Sequence, residues 1–350
     1  MKIEPSQIAL LHTWQHGSQL TCCQFLPGDA ALVAAGHDGH LYRLARAGEE
    51  RPPIAAHQGW VEALRWTPDR SRLLSADSWG QVRAWQPVDD WLATDPVWTI
   101  PCACNSWLRD LTISPDGQRL ATVGQEPVVR VYRVSDGTLL QELRGPTEPV
   151  LSVAFDRQGE LLACGDRAGL IHVWDLSRGV CQRSLNASAL FQTYYQYRQG
   201  GVRSLALSPD GRTLYAAGFA GTNANQAQGN PLVLAFDWET GQLSATLTPA
   251  PALNGPVTDI VVHPSGLLIA AGSSEGGGLL WMWPPGATQL VHHVKHPTSF
   301  RRLALAADGR QLAAPAFGNL DGQRGGNGRR LDKEGRYPDF GGSLVVFQWT

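Results

Sequence analysis

Lysine is almost missing from this chain of 350 residues: of 29 basic side chains, only those at 2, 295 and 333 are Lys. An excess of charge of one sign is missing too. The net charge is −2, which excludes a whole-molecule field that would draw the chain to nucleic acid or an anionic membrane. No apolar run near the N-terminus, MKIEPSQIALLHTW, has the length of a signal-peptide core or a membrane span, so a cytoplasmic location without membrane contact is expected. The motifs of common catalytic sites are absent as well: no nucleophile elbow, no P-loop and no Gly-x-Gly-x-x-Gly opening a helix. Cysteine is sparse. Cys22, Cys23, Cys102, Cys104, Cys164 and Cys181 fall in or beside expected strands, where a thiol packs as a small hydrophobe. Cys102 and Cys104 are not followed by a second Cys or His pair at metal spacing, so no metal and no cofactor is expected. His292, His293 and His296 cluster on an expected outer strand, but alternation sends the first two to opposite faces.

What the chain has in quantity is a spaced pattern of apolar runs and Pro, Asp and Gly turns. Residues 150–176, VLSVAFDRQGELLACGDRAGLIHVWDL, read as three short strands joined by turns at 156–159 and 167–169. Three strands cannot bury their own faces. Related copies begin at 20, 61, 108, 202, 257 and 300, so that successive starts lie 41, 47, 42, 52, 55 and 43 residues apart. A period of roughly 40–45 with insertions is that of four-stranded propeller blades. Fourth strands are expected between the copies, at 54–56, 97–100, 139–143, 181–185, 243–247 and 290–294. The last copy reaches the C-terminus with three strands, and residues 8–13 are expected to complete it beside 344–347. The fold class is therefore all-β: one seven-bladed propeller over residues 1–350, with four antiparallel strands per blade, closed by its N-terminal strand.

The Ser-Pro-Asp-Gly turns at 114–117 and 208–211, Val173-Trp174-Asp175, and His57 four residues before a first strand give the chain a resemblance to the WD-repeat β-propeller family. The resemblance covers nearly the whole chain. It implies a hydrogen-bonded His, Ser/Thr, Asp and Trp set in each blade, and this set is poorly kept. The second blade has His57, Ser75 and Trp85, with Trp79 where Asp is expected. The first has His16 and Asp38, with Leu44 for Trp. The third has Thr122, Glu126 and Tyr132, with Cys104 for His.

The resemblance also places strand-2-to-3 and inter-blade loops on one face, the top. By strand order the three large insertions, 186–201, 219–231 and 317–342, all emerge there; the largest bottom insertion, 86–96, is shorter. The first carries Phe191, Tyr194, Tyr195 and Tyr197, amphipathic anchors of the kind interfaces use, or aromatics packed back on their blade. The third is glycine-rich and carries Arg324, Arg329, Arg330, Lys333 and Arg336 among acidic residues. Partners of this family commonly touch the positions flanking the start of strand one. Here these include Trp60 and Trp107 before it, and Thr21, Glu62, Arg109, Leu151, Arg203, Thr258 and Arg301 after it. The three arginines suit charge-assisted bonds to an acidic or phosphorylated peptide, or each pairs with a nearby carboxylate such as Asp110 or Asp259.

The leading expectation is a non-catalytic scaffold that grips a protein or peptide partner, acidic ones included, on its top face. It would act as a monomeric propeller within a hetero-complex. The expected contacts are Trp60, Glu62, Trp107, Arg109, Tyr194, Tyr195, Tyr197, Arg203, Arg301, Arg329 and Arg330. Two other readings stand beside it: an enzyme with a site in the central channel, and a nucleic-acid module using the basic loop 317–342 and stacking tyrosines. The arginine bias and compact turns point to a bacterial source.

Overall fold

Along each blade, burial falls from the channel to the rim, and the sequence follows it. In the second blade the inner strand Val61–Trp66 and the next, Leu73–Asp77, are almost wholly buried, whereas the outer strand Leu139–Arg144 of the third blade alternates with mostly exposed positions. Most packed positions of the inner strands are apolar because a neighbouring blade covers each of their faces. The computed structural model of the chain describes residues 3–48, 50–103, 107–194, 197–221, 229–249, 255–274, 277–317 and 341–350, with the backbone alone at 194, 197, 198 and 274. These residues form seven antiparallel blades about one axis, six of them four-stranded in sequence order. The apolar core is divided into seven clusters, one at each junction between neighbouring blades. Trp85, Trp281, Phe25, Phe236 and Phe347 are among the side chains less than 2 % exposed, each worth roughly 1.5–3 kcal/mol of burial.

The seventh blade is completed by the N-terminal strand. Ile8–His16 pairs antiparallel with Gly342–Trp349, from Ile8 opposite Trp349 to His16 opposite Gly342, with one irregularity between Leu10 and His12. The pairing extends three residues past the expected 8–13. Seven inner strands are present where expected, with two adjustments. That of the fifth blade starts at Ser204, and that of the seventh is broken into Ser299–Phe300 and Ala304–Leu305. The outer strand of the sixth blade is His292–His296, two residues later than expected.

The Ser-Pro-Asp-Gly turns work through their side chains. The Ser114 hydroxyl donates to the Asp116 carboxylate and accepts the Arg119 amide at 2.9 Å, and Asp116 accepts the Gln118 amide at 3.0 Å. Gly117 takes φ of 72°, a left-handed conformation that glycine adopts at no steric cost. The bottom insertion 86–96 folds into a small hairpin, Pro87–Val88 with Trp91–Leu92. Trp91 is buried in the junction between the first two blades, and Asp90 receives Arg43 at 2.7 Å and Arg51 at 2.8 Å, so this loop is a strut.

The buried set of the second blade is complete, contrary to the sequence expectation. Asp77, not position 79, supplies the carboxylate, while Trp79 is exposed. The Trp85 indole N–H donates to Ser75 Oγ at 2.8 Å, and Ser75 Oγ lies 2.6 Å from His57 Nε2. His57 Nδ1 lies 3.2 Å from Asp77 Oδ2, and Asp77 Oδ1 accepts the amides of Trp79 and Gln81. Since Ser75 accepts from Trp85, its own proton goes to His57 Nε2, which leaves the His57 proton on Nδ1 facing Asp77. Burial lowers the His57 pKa despite Asp77, so the ring is neutral at pH 7. In the first blade the set is replaced: Tyr42 donates to Asp38 at 2.6 Å and meets His16 edge-on. In the third, the Tyr132 hydroxyl donates to the Ala103 carbonyl.

Asp77→Ala strands the His57 N–H and two backbone amides in the interior, and should cost about 2–3 kcal/mol in urea unfolding. Ser75→Ala breaks the same chain, so the double variant should lose clearly less than the sum of the two. Strict additivity would show that the four groups do not act as one network.

Cysteine placement divides. Cys22, Cys23 and Cys164 are buried free thiols, and burial pushes the Cys22 thiol up to about 12. Cys102 and Cys181 are exposed, which corrects the expectation that they pack inside. Cys104 lies outside the described residues.

Candidate functional site at the mouth of the channel

A backbone irregularity builds the site. In the first, second, third, fourth and sixth blades the pairing of strands one and two slips between the first and third residue of strand one. The extra residue of such a bulge is re-aimed out of the sheet. Its side chain then points to the channel mouth: Thr21, Glu62, Arg109, Leu151 and Thr258, joined by Arg203 and Arg301 from the other two blades. All seven, the positions marked in the sequence, line one cup of about 670 Å³.

A second ring lines the same cup, and sequence reading missed it: Gln125, Arg167, Phe219, Ser273 and Phe317, each at the end of its blade's second strand. The signal was present as spacing. Each of these stands 17 residues after the first residue of its blade's copy, 16 in the sixth, and His37 and Ser78 hold the same place in the first two blades. The cause is a repeated bond from that residue's amide to the carbonyl of the residue before strand one. It joins His37 to Gln19, Ser78 to Trp60, Gln125 to Trp107 and Arg167 to Pro149, at 2.8–3.0 Å.

Each of the three arginines holds its guanidinium over an aromatic ring. Arg109 sits over Trp107 at 4.3 Å, Arg203 over Phe219 at 5.3 Å and Arg301 over Phe317 at 5.0 Å from ring centroid to guanidinium carbon. None of the three forms an ion pair among the described residues. The pairing with Asp110 or Asp259 weighed from sequence does not occur. Arg302 takes both carboxylates, at 3.4 and 3.8 Å, and Arg65 shares Asp110 at 3.4 Å. Burial lowers the pKa of Arg109 and of Arg301, with Glu62 pulling the other way in both. Arg203 opens to solvent in the cup. The surrounding blades still strip water from its guanidinium and lower its pKa, and the Arg109 charge adds to this. All three stay protonated at any ordinary pH.

Beside the cup runs an aromatic ledge across three blades. His37 stacks on Trp60 at 4.2 Å, Trp60 meets Trp107 edge-on at 5.4 Å, and the Trp107 indole N–H donates to Glu62 at 3.1 Å. Burial, and then the Arg301 charge, push the His37 pKa down to about 4, so it stacks as a neutral ring. Trp60 remains 41 % exposed. Trp60, Glu62, Trp107 and Arg109 thus form one contiguous group, while Arg203 and Arg301 face it from the fifth and seventh blades.

Each insertion touches this mouth at a described end: Gln199 and Gly200 from 186–201, Phe219 and Gly229 from 219–231, and Phe317 from 317–342. The first forms a hairpin, Phe191–Tyr194 with Tyr197–Gly200. The side chains of Tyr194 and Tyr197 lie outside the described residues, as do Tyr195, Arg329 and Arg330 and with them the basic loop of the nucleic-acid reading. Arg302 lines the cup as well, its guanidinium also donating to the Arg109 carbonyl at 2.8 Å. Among the described residues, no three His, Cys, Asp or Glu side chains gather as a metal site.

Two segments, residues 50–86 and 137–175, match the WD domain, G-beta repeat. Each begins with the outer strand of one blade and continues through three strands of the next. The chain is 26 % identical over 259 residues to the target of rapamycin complex subunit wat1 of Schizosaccharomyces pombe, covering 72 % of this chain and 73 % of that protein. It is 27 % identical over 166 residues to telomerase protein component 1 of Rattus norvegicus, covering 47 % of this chain and 6 % of that one. A guanine nucleotide-binding protein subunit beta of Arabidopsis thaliana is 24 % identical over 233 residues, 64 % of this chain and 56 % of its own length. These relatives are eukaryotic and lend no support to a bacterial source. With seven four-stranded blades and repeats of this kind in two stretches, the chain is a seven-bladed β-propeller similar to those of the WD40 type.

Proposed function

We infer that the chain is a non-catalytic scaffold, working in a cytosolic multi-protein assembly, which receives an acidic segment of a protein partner at the channel mouth. The observation that carries this reading is the set of three guanidiniums, without carboxylate partners among the described residues, beside an exposed tryptophan ledge. An arginine braced by a large aromatic is the composition of interface hot spots. Support from kinship is general: relatives named as subunits of a target of rapamycin complex and of a guanine nucleotide-binding protein belong to assemblies. The buried thiols of Cys22, Cys23 and Cys164, which form no disulfide, fit a cytosolic setting.

Replacing Trp60 and Trp107 together by Ala should weaken recovery of the partner from native extract by about tenfold or more, with near-UV and far-UV circular dichroism unchanged. Full recovery of the same partner by the double variant would remove the ledge from the interface.

A further inference from the structure

We propose that the bottom face carries a separate docking groove, between the second and third blades, for an extended segment of a protein partner in which a large aliphatic side chain stands next to a carboxylate. The groove has a volume of about 880 Å³ and runs outward from the strand-1-to-2 turns at 67–72 and 115–119 to the rim of the third blade. It lies on the face opposite the cup, so one propeller can hold two partners at once.

The groove exists because one position of a repeated turn is small. In all seven blades the fourth residue of that turn is left-handed, with φ from 56° to 87°. In the first two blades it carries a side chain that crosses to the preceding blade. Asp29 accepts the Ala307 amide at 2.8 Å, and Arg70 donates to the Phe25 carbonyl at 3.1 Å. Arg157 and His263 bridge two further junctions, to the Pro209 and Gly309 carbonyls at 3.0 and 2.9 Å. In the third blade the position is Gly117, where an added Cβ would meet only Pro68, at 3.4 Å. Among the described residues, no hydrogen bond joins this turn to that of the second blade. The two walls are tied further out, where Trp98 donates to the Val134 carbonyl at 2.9 Å.

One wall is apolar where the fold does not require it. The outer strands of the third, fourth and fifth blades each carry one extra residue against their neighbour: Leu140, Gln182 and Ser244. A bulge re-aims the residue it adds. Two of these three are polar, as suits a wet rim. Leu140 instead lines the groove beside Pro68 and Pro115, and is 40 % exposed. An aliphatic side chain laid on it would bury both.

Charge selects the neighbour of that side chain. Asp69 is turned onto its own loop, accepting the Thr67 and Ser71 hydroxyls at 2.6 and 2.9 Å. Asp116 likewise accepts the Ser114 hydroxyl and the Gln118 amide. Arg119 lies 3.8 Å from Asp116, and Arg133 faces Asp136 at 3.0 Å. Arg72, on the wall of the second blade, has no acidic partner among the described residues. The acceptors are thus engaged, and a guanidinium is on offer. A carboxylate entering the groove gains a charge-assisted bond from Arg72, whereas a lysine or arginine there meets like charge.

The test uses the full chain and matched fluorescein-labelled glycine–serine decapeptides carrying Leu-Glu, Leu-Gln or Ser-Glu at their centre, read by fluorescence anisotropy. The Leu-Glu peptide should bind at least about tenfold tighter than either of the others. Leu140→Gln, the residue that the fourth blade holds there, and Arg72→Gln should each weaken it by about tenfold. Both positions are partly exposed, so these variants should melt within about 2 °C of the wild type. Gly117→Arg gives the third blade the side chain that closes the junction in the second, and should abolish binding with the circular dichroism retained. Trp60→Ala with Trp107→Ala should leave this binding unchanged, which separates the groove from the mouth. No binding of the Leu-Glu peptide up to about 1 mM, equal affinity for the three peptides, or indifference to Leu140→Gln and Gly117→Arg would overturn the proposal. So would a concentration-dependent dimer, read by sedimentation, that Leu140→Gln dissolves, because the groove would then belong to a second copy of the chain.

Discussion

Deleting residues 1–16 should cost the ring its cooperative fold, not merely trim an end. Ile8 is 8 % exposed within the junction of the sixth and seventh blades, and Leu11 and Trp14 pack against the junction of the seventh and first. At roughly 1.5–3 kcal/mol for each buried apolar side chain, their loss is on the order of 5 kcal/mol, comparable to the whole stability of many domains. It also bares Gly342–Trp349, whose side chains are buried at seven of eight positions, as an unpaired sheet edge open to aggregation. The truncated chain should melt on the order of 10 °C lower or more, and elute partly as oligomers. A peptide of residues 3–18 added in trans should restore the monomer, because the strand pairs from outside and threads through nothing. An unchanged melting curve for the truncation would mean that the seventh blade is stable with three strands and that closure is dispensable.

That closure was legible from the sequence for a simple reason: the copy starting at 300 has one strand too few, and only one β-like run lies outside the copies. Inner strands were legible because both faces are buried, so Val150–Phe155 or Val61–Trp66 read as apolar without exception for their packed positions. The outer strands were harder. His292–His296 is bound to one neighbour only and has weak patterning, which is why its position slipped by two residues. Trp79 stands where Asp is expected from the sequence of the second blade, and only the hydrogen bonds identify Asp77. The site was half legible. The bulge residues carry a positional signature, being second in each first strand. The second ring does not look alike from blade to blade: Gln125, Arg167 and Ser273 share a backbone bond and no side-chain chemistry, so composition could not reveal them and only a fixed offset could. Arg302, Asp110 and Asp259 each stand third in their copy, one residue past the cup-lining position, so they meet one another and leave Arg109 and Arg301 aside.

Arg302→Met should destabilise the protein by about 3–5 kcal/mol, the cost of leaving buried carboxylates without their cation. Six blades meet at this side chain. Arg302, from the seventh, faces Asp110 of the third and Asp259 of the sixth. Asp110 is shared with Arg65 of the second and accepts the Val153 amide of the fourth at 3.4 Å. Asp259 accepts Ser204 of the fifth at 2.8 Å and the Leu303 amide at 2.9 Å. Burial alone would lower the Arg302 pKa; the two aspartates outweigh it and raise it, so the guanidinium is charged at every pH at which the chain folds. The two carboxylates do not suffer equally when it is removed. Asp110 keeps Arg65, while Asp259 keeps only neutral donors, so most of the loss should come from Asp259. Adding Asp259→Asn to Arg302→Met should therefore recover a large part of the stability in urea unfolding, and Asp110→Asn a smaller part. Equal recovery from both would place Arg65 too far from Asp110 to matter. No loss in Arg302→Met itself would mean that water entering the channel solvates both carboxylates, and that the blades are locked by their apolar junctions without help from the axis.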